Sequence, residues 1–136
     1  MKVCGIELKA NNIIFSIIES INNEYNYIDT QIKKISLVDD ENQKNIIKFK
    51  LQVEKFISQN LIEKIIIKKR AKKGNFAGGA LTFKIESIIQ LNSLCEVIFI
   101  SSQAISRFSK SNNIIFPQKL NKYQEQAYLA SVAYLW

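Results

Sequence analysis

A chain of 136 residues, 47% hydrophobic and 23% charged, has the size and composition of one folded domain, which excludes wholesale disorder. Lys and Arg number 19 against 12 Asp and Glu, for a net charge of +7, and there is no histidine. The missing imidazole excludes Ser-His and Cys-His nucleophile pairs, His general bases and His-ligated metal sites.

The excess charge is local. Lys64, Lys68, Lys69, Arg70, Lys72 and Lys73 are six cations within ten residues; the 19 basic residues less these six leave 13 against 12 acidic ones. A concentrated patch argues for an anionic partner better than a diffuse excess does. Cys4 and Cys95 have no CxxC spacing and read as small buried residues in a reducing compartment. Glu7 and Lys9 interrupt the N-terminal segment before it reaches signal-peptide length. No apolar run approaches the roughly 20 residues needed to cross a bilayer. A cytoplasmic protein without a membrane partner is therefore expected.

In chain order, Cys4, Ile6 and Leu8 alternate with their neighbours at the period of a strand. Lys9 to Asn12 supplies a turn, Ile13 to Ile18 a second strand, and Asn22-Asn23-Glu24 another turn. Tyr25 to Leu37 reads as a third strand, completing an antiparallel meander. Asp39-Asp40-Glu41 is an acidic helix start, followed by Ile46, Phe49, Val53 and Phe56 on one helical face, ending near Gln59. Ile65-Ile66-Ile67 is a short β-branched run of the kind buried on both faces. A helix follows with Leu81, Ile85, Ile88 and Ile89 on one side, then a second buried strand, Val97 to Ile100. Ser101-Ser102 caps a helix carrying Ile105 and Phe108. Pro117 lies in a loop, and Asn121 opens a last helix lined by Ala127, Ala130 and Tyr134. Residues 1–136 are expected to form a single domain.

This order, β-β-β-α-β-α-β-α-α, resembles that of the ribonuclease H-like fold. The resemblance implies an α/β protein: a three-stranded antiparallel meander plus two parallel strands, in the order 3-2-1-4-5, flanked by helices. The opening Val3-Cys4-Gly5-Ile6-Glu7 resembles the Gly-Ile-Asp strand of the RuvC-type branch of Holliday-junction resolvases. Glu7 falls at the position of that branch's first metal-binding acid. The opening, together with Lys73-Gly74-Asn75-Phe76-Ala77-Gly78-Gly79-Ala80, is also similar to a small group of uncharacterised bacterial proteins. Those share a Val-Cys-Gly-Ile/Val-Glu-Leu-Lys start and a Lys-Gly-Lys-Phe-Ala-Gly-Gly-Ala element.

The departures from the resolvase pattern bear on chemistry. Two-metal phosphodiester cleavage needs several carboxylates converging on two cations roughly 4 Å apart. Where resolvases carry a second acid, this chain reads Ile67-Lys68-Lys69-Arg70, and where they pair acids on the last helix it has only Glu125. Glu7 and Glu125 would be the catalytic carboxylates, with Glu7 a Mg2+ ligand, if nuclease activity remains. A salt bridge from Glu7 to Lys68, Lys69 or Lys9 is the favoured alternative. Glu86, next to the apolar face of its helix, reads as a solvated surface residue.

Lys68, Lys69, Arg70, Lys72 and Lys73 fall where a buried strand exits into a Gly-containing loop before a helix, the place where open α/β sheets bind ligands. Gly74, Gly78 and Gly79 permit close backbone approach, and the helix start offers free amides to a phosphate. Phe76 reads as an apolar anchor for the loop, with base stacking the alternative. Tyr128, Tyr134 and Trp136 read as packing residues, or as a homodimer contact. The expected function is nucleic-acid binding through phosphate contacts on a fold with a degraded two-metal centre and no cofactor. The alternatives are a weak Mg2+-dependent structure-selective nuclease and a protein-interaction factor using the basic surface.

Overall fold

The computed structural model describes residues 1–74 and 79–136. The chain runs β1 (Lys2–Lys9), β2 (Asn12–Ile21), β3 (Glu24–Ile28), β4 (Lys34–Ser36), α1 (Gln43–Gln59), β5 (Lys64–Lys68), α2 (Ala80–Gln90), β6 (Glu96–Ile100) and α3 (Ser102–Ser111). A 3-10 turn (Lys122–Gln124) then leads into α4 (Glu125–Leu135). The strands form one mixed sheet in the order β3-β2-β1-β5-β6, with β4 also paired to β2. β1 is antiparallel to β2 and parallel to β5, which is parallel to β6. This is the ribonuclease H-like α/β arrangement expected from the element order, with one short strand added.

The added strand comes from division of the third predicted one. β3 pairs with Ile17–Ile21 of β2 and β4 with Asn12–Ile14, so both lie along the same edge. At Phe15, between them, the N–H still bonds Lys33 O at 3.2 Å. Its carbonyl instead accepts Nε2 of Gln124 at 3.0 Å. A strand residue points its N–H and C=O to the same side, so Gln124 takes the acceptor that a continuous third strand would have used. The β2–β3 turn places Asn22 and Asn23 at φ 51° and 65°. That left-handed pair is tolerated by Asn and matches the twist of a tight hairpin.

Alternation along the strands builds two cores. Cys4, Ile6, Leu8, Phe15, Ile65 and Ile67 meet Phe49, Val53 and Phe56 of α1 and Ile85 and Ile89 of α2 on one face. Val3 and Ile66 meet Ile105 of α3 and Leu129 and Ala130 of α4 on the other. The Ile65-Ile66-Ile67 run is thus buried on both sides, whereas β6 lies at the sheet edge and is only half-buried. The acids at 39–41 precede α1; its N-cap is Asn42, whose side chain accepts the amide of Lys44. Ser101 caps α3 by accepting from Ala104 N. Among the described residues, no helix is long and apolar enough to cross a membrane.

Gly5 sets how closely α4 lies on the sheet. A Cβ at this position would come within 1.9 Å of Ala127 O and 3.1 Å of Ser131 N. Only a glycine opposite the small residues Ala127, Ala130 and Ser131 permits that approach. α4 is thereby held over the centre of β1, its first turn above the strand's carboxyl end.

Candidate functional site

Three side chains meet where β1, β5 and α4 converge. Glu7 shares the α4-facing side of β1 with Val3 and Gly5, at strand spacing. The parallel register pairs Ile6 with Ile67, which brings Glu7 beside Lys68. Their charged groups lie 3.8 Å apart, with side chains 14% and 17% exposed. Lys68 Nζ also donates to Gln126 Oε1 at 2.8 Å. At the other end of β5, Lys64 Nζ bonds the Tyr134 hydroxyl at 3.1 Å and pairs with Glu96 at 3.9 Å. Four strand residues advance about 13 Å and eight helical residues about 12 Å. The Lys64–Tyr134 and Lys68–Gln126 contacts therefore match as two rungs between antiparallel β5 and α4.

The cations read together in the sequence are accordingly divided. Lys64 and Lys68, at opposite ends of β5, are held by partners within the fold. Lys69, Arg70, Lys72 and Lys73 line an open cleft of about 470 Å3, together with Ala71, Ser101, Ser102 and Gln103. Among the described residues none of these four makes an ion pair. Arg70 Nε is buried and has no hydrogen-bond partner among them. Gly74 has φ 97°, a conformation that suits glycine, and Gly79 is the N-cap residue of α2. Gly78 and Phe76 lie outside the described residues.

Glu125 makes no ion pair among the described residues; the last-helix side chain that reaches the Glu7–Lys68 pair is Gln126. Glu86 is half-buried, not freely solvated: burial pushes its carboxyl up from the ordinary Glu range, opposed by the ammoniums of Lys72 and Lys69. Among the described residues, no three His, Cys, Asp or Glu side chains group where they could hold a metal ion. Both cysteines are free. Burial, with Cys95 adding to it, raises the Cys4 thiol far above its ordinary value; burial alone pushes Cys95 up to about 11. Neither is ionised at neutral pH, as expected of inert core thiols.

Gln124 was not among the residues singled out in the sequence. It is 1% exposed, donates to Phe15 O and to the Tyr27 hydroxyl, and accepts from Asn121 N at 3.0 Å. Its signal was the Asn-x-x-Gln spacing from Asn121, a capping box. The same turn positions the start of α4, and with it Gln126.

The sheet order β3-β2-β1-β5-β6 with its flanking helices gives the chain a ribonuclease H-like fold. RuvC from Thermus thermophilus has a TM-score of 0.74 at 6% identity, covering 99% of this chain and 93% of its own. The same protein in complex with Holliday junction substrate gives 0.69. Fowlpox virus resolvase, with substrate Holliday junction DNA, gives 0.60 at 18% identity, covering 99% and 97%. These likenesses establish the fold. The chain belongs to the family described as "Protein of unknown function (DUF3010)", which matches residues 1–134. No curated protein matches the sequence.

Proposed function

We propose that this protein binds nucleic acid through backbone phosphates, as a single domain of residues 1–136 whose ancestral two-metal centre has been replaced by an internal ion pair. The observation that carries the reading is the fate of the charges at the carboxyl end of β5. Lys68 occupies Glu7 and Gln126, while the next four cations face a cleft without ion-pair partners among the described residues. A carboxylate 3.8 Å from an ammonium is already neutralised, and a divalent cation brought beside that ammonium is repelled. This donor set does not fit a two-metal centre, which needs several converging carboxylates. Two proteins of similar fold, the RuvC and the fowlpox virus resolvase above, are complexed with Holliday junction substrate, which lends the nucleic-acid reading its context. We place it in the cytoplasm, and the Val3-Cys4-Gly5-Ile6-Glu7 opening supports a likeness to bacterial proteins with a Val-Cys-Gly-Ile/Val-Glu-Leu-Lys start.

Four of the five cations from Lys68 to Lys73 are lysines, which act as point charges rather than as bidentate readers of guanine. Binding is therefore structure-selective or unselective, not sequence-specific. The test is anisotropy of fluorescein-labelled duplex and four-way-junction DNA over a salt series in EDTA. With three to four phosphates neutralised, log affinity on duplex falls with log salt at a slope of roughly −3 to −4. Absence of binding at low salt defeats the proposal and favours an acidic protein partner. Cleavage of the junction on adding Mg2+ or Mn2+ defeats the inactive-centre half of it and restores Glu7 and Glu125 as catalytic candidates.

A further inference from the structure

The cleft has a second wall that the strand-exit cations do not supply. Lys69 N donates to Ile100 O at 2.8 Å, and Ser102 Oγ donates to Lys69 O at 3.3 Å. These bonds hold the exit of β5 against the first turn of α3, so the cationic residues and the helix start line one cleft. Ser101 Oγ satisfies the amide of Ala104 at 3.0 Å. The amides of Ser102 and Gln103, one and two residues into the ten-residue helix, have no intrahelical acceptor. No acid lies in that first turn, and none lines the cleft. Arg70 also lines this cleft; its Nε is buried and has no acceptor among the described residues. The charge of Arg70, with those of Lys69, Lys72 and Lys73, has no acidic counterpart among the residues lining the cleft, which favours an anionic occupant. A cleft of about 470 Å3 is in the range of small-ligand sites.

We infer that this cleft is a phosphate-binding subsite, in which Arg70, the flanking lysines and the free amides of Ser102 and Gln103 hold one nucleic-acid phosphate group. The inference rests on the nucleic-acid reading above and deepens it. It assigns α3 a direct part in binding and makes one phosphate an anchor around which the remaining contacts are looser. Lys68, held by Glu7 and Gln126, contributes no contact of its own to the subsite.

The experiment uses the full chain. Amide resonances are followed by heteronuclear NMR during titration with inorganic phosphate, and fluorescein-labelled duplex DNA binding is measured in parallel for wild type, Gln103→Glu and Arg70→Lys. A carboxylate at the second residue of a helix favours the helix dipole, so Gln103→Glu keeps its fold. It also places negative charge against the bound phosphate and should weaken DNA binding about tenfold. Arg70→Lys keeps the charge, removes the planar N–H donors and should weaken binding about threefold. Phosphate-dependent shifts at Ser102 and Gln103 together with these losses support the subsite. DNA binding by wild type and Gln103→Glu with equal affinity, without such shifts, overturns the subsite and leaves the nucleic-acid reading standing. Shifts with phosphate but no DNA binding by wild type overturn the nucleic-acid reading and the assignment of this phosphate to nucleic acid, and leave a site for a free phosphate group. The absence of both overturns both.

Discussion

Lys68 and Lys69 are neighbours in the chain, yet they belong to two different regions. Lys68 points to the α4 side of the sheet, where Glu7 and Gln126 absorb its charge and hydrogen bonds. Lys69 has already left the strand; its backbone is tied to Ile100 and Ser102, and its side chain is exposed beside the cleft. One cation is used by the fold and the next stands at an open cleft without an ion pair among the described residues. The lesson is that a run of basic residues cannot be counted as one surface: a strand alternates its side chains, and the strand's end changes their direction altogether.

The arrangement at Lys68 depends on α4 lying flat on β1. Gly5→Ala drives a methyl into the α4 backbone at Ala127, which no rotamer change relieves, and should cost about 3 kcal/mol or more. Urea denaturation measures it; a loss under 1 kcal/mol would show that α4 shifts easily and that the Lys68–Gln126 contact is not held by this packing. Lys68→Ala should come next, at about 2 kcal/mol, because it leaves the Glu7 carboxylate partly buried and unpaired. Adding Glu7→Gln should recover part of that loss, and a double-mutant cycle without coupling would break the claim that Lys68 is structural. Replacing Lys69, Arg70, Lys72 and Lys73 together by Ala should reverse the balance. Stability should change by no more than about 0.5 kcal/mol at each of the three exposed lysines, while the salt slope of DNA binding falls by roughly three. Unchanged affinity would remove the cleft from the function.

Much of this architecture was legible in the sequence, for identifiable reasons. Three consecutive isoleucines bounded by lysines admit few readings other than a short central strand, and β5 is that strand. Glu7 beside a cation followed once β1 and β5 were parallel neighbours. The third strand was legible only as an extended segment. Its division at Phe15 depends on Gln124, which is 109 residues away and inserts there through its capping turn. Gln126 is hidden in the sequence because the metal-site pattern of the last helix calls for carboxylates, and Glu125 stands next to it. The available signal was the ladder Gln126, Ala130, Tyr134, four residues apart on one side of the helix, facing Lys64, Ile66 and Lys68 on alternate positions of β5. The partial burial of Glu86 is not legible in its own helix, because the cations that act on it, Lys69 and Lys72, follow β5.

Glu86 is also where the two regions can be distinguished most finely. Burial raises its carboxyl above the ordinary Glu value, and Lys72 and Lys69 only partly offset this. The folded chain therefore holds the Glu86 proton more tightly than the unfolded chain does. Stability falls as pH rises from the ordinary Glu range through the raised value, and stays lower above it. Glu86→Gln should remove that part of the pH dependence, raising stability at neutral pH and leaving it little changed in acid. Removing a negative charge that acts on Lys72 and Lys69 should at the same time strengthen DNA binding, by about twofold to threefold at low salt. Denaturation at several pH values together with anisotropy reads both effects. Greater stability without tighter binding would mean that Lys69 and Lys72 do not contact the nucleic acid and would narrow the interface to Arg70, Lys73 and the start of α3.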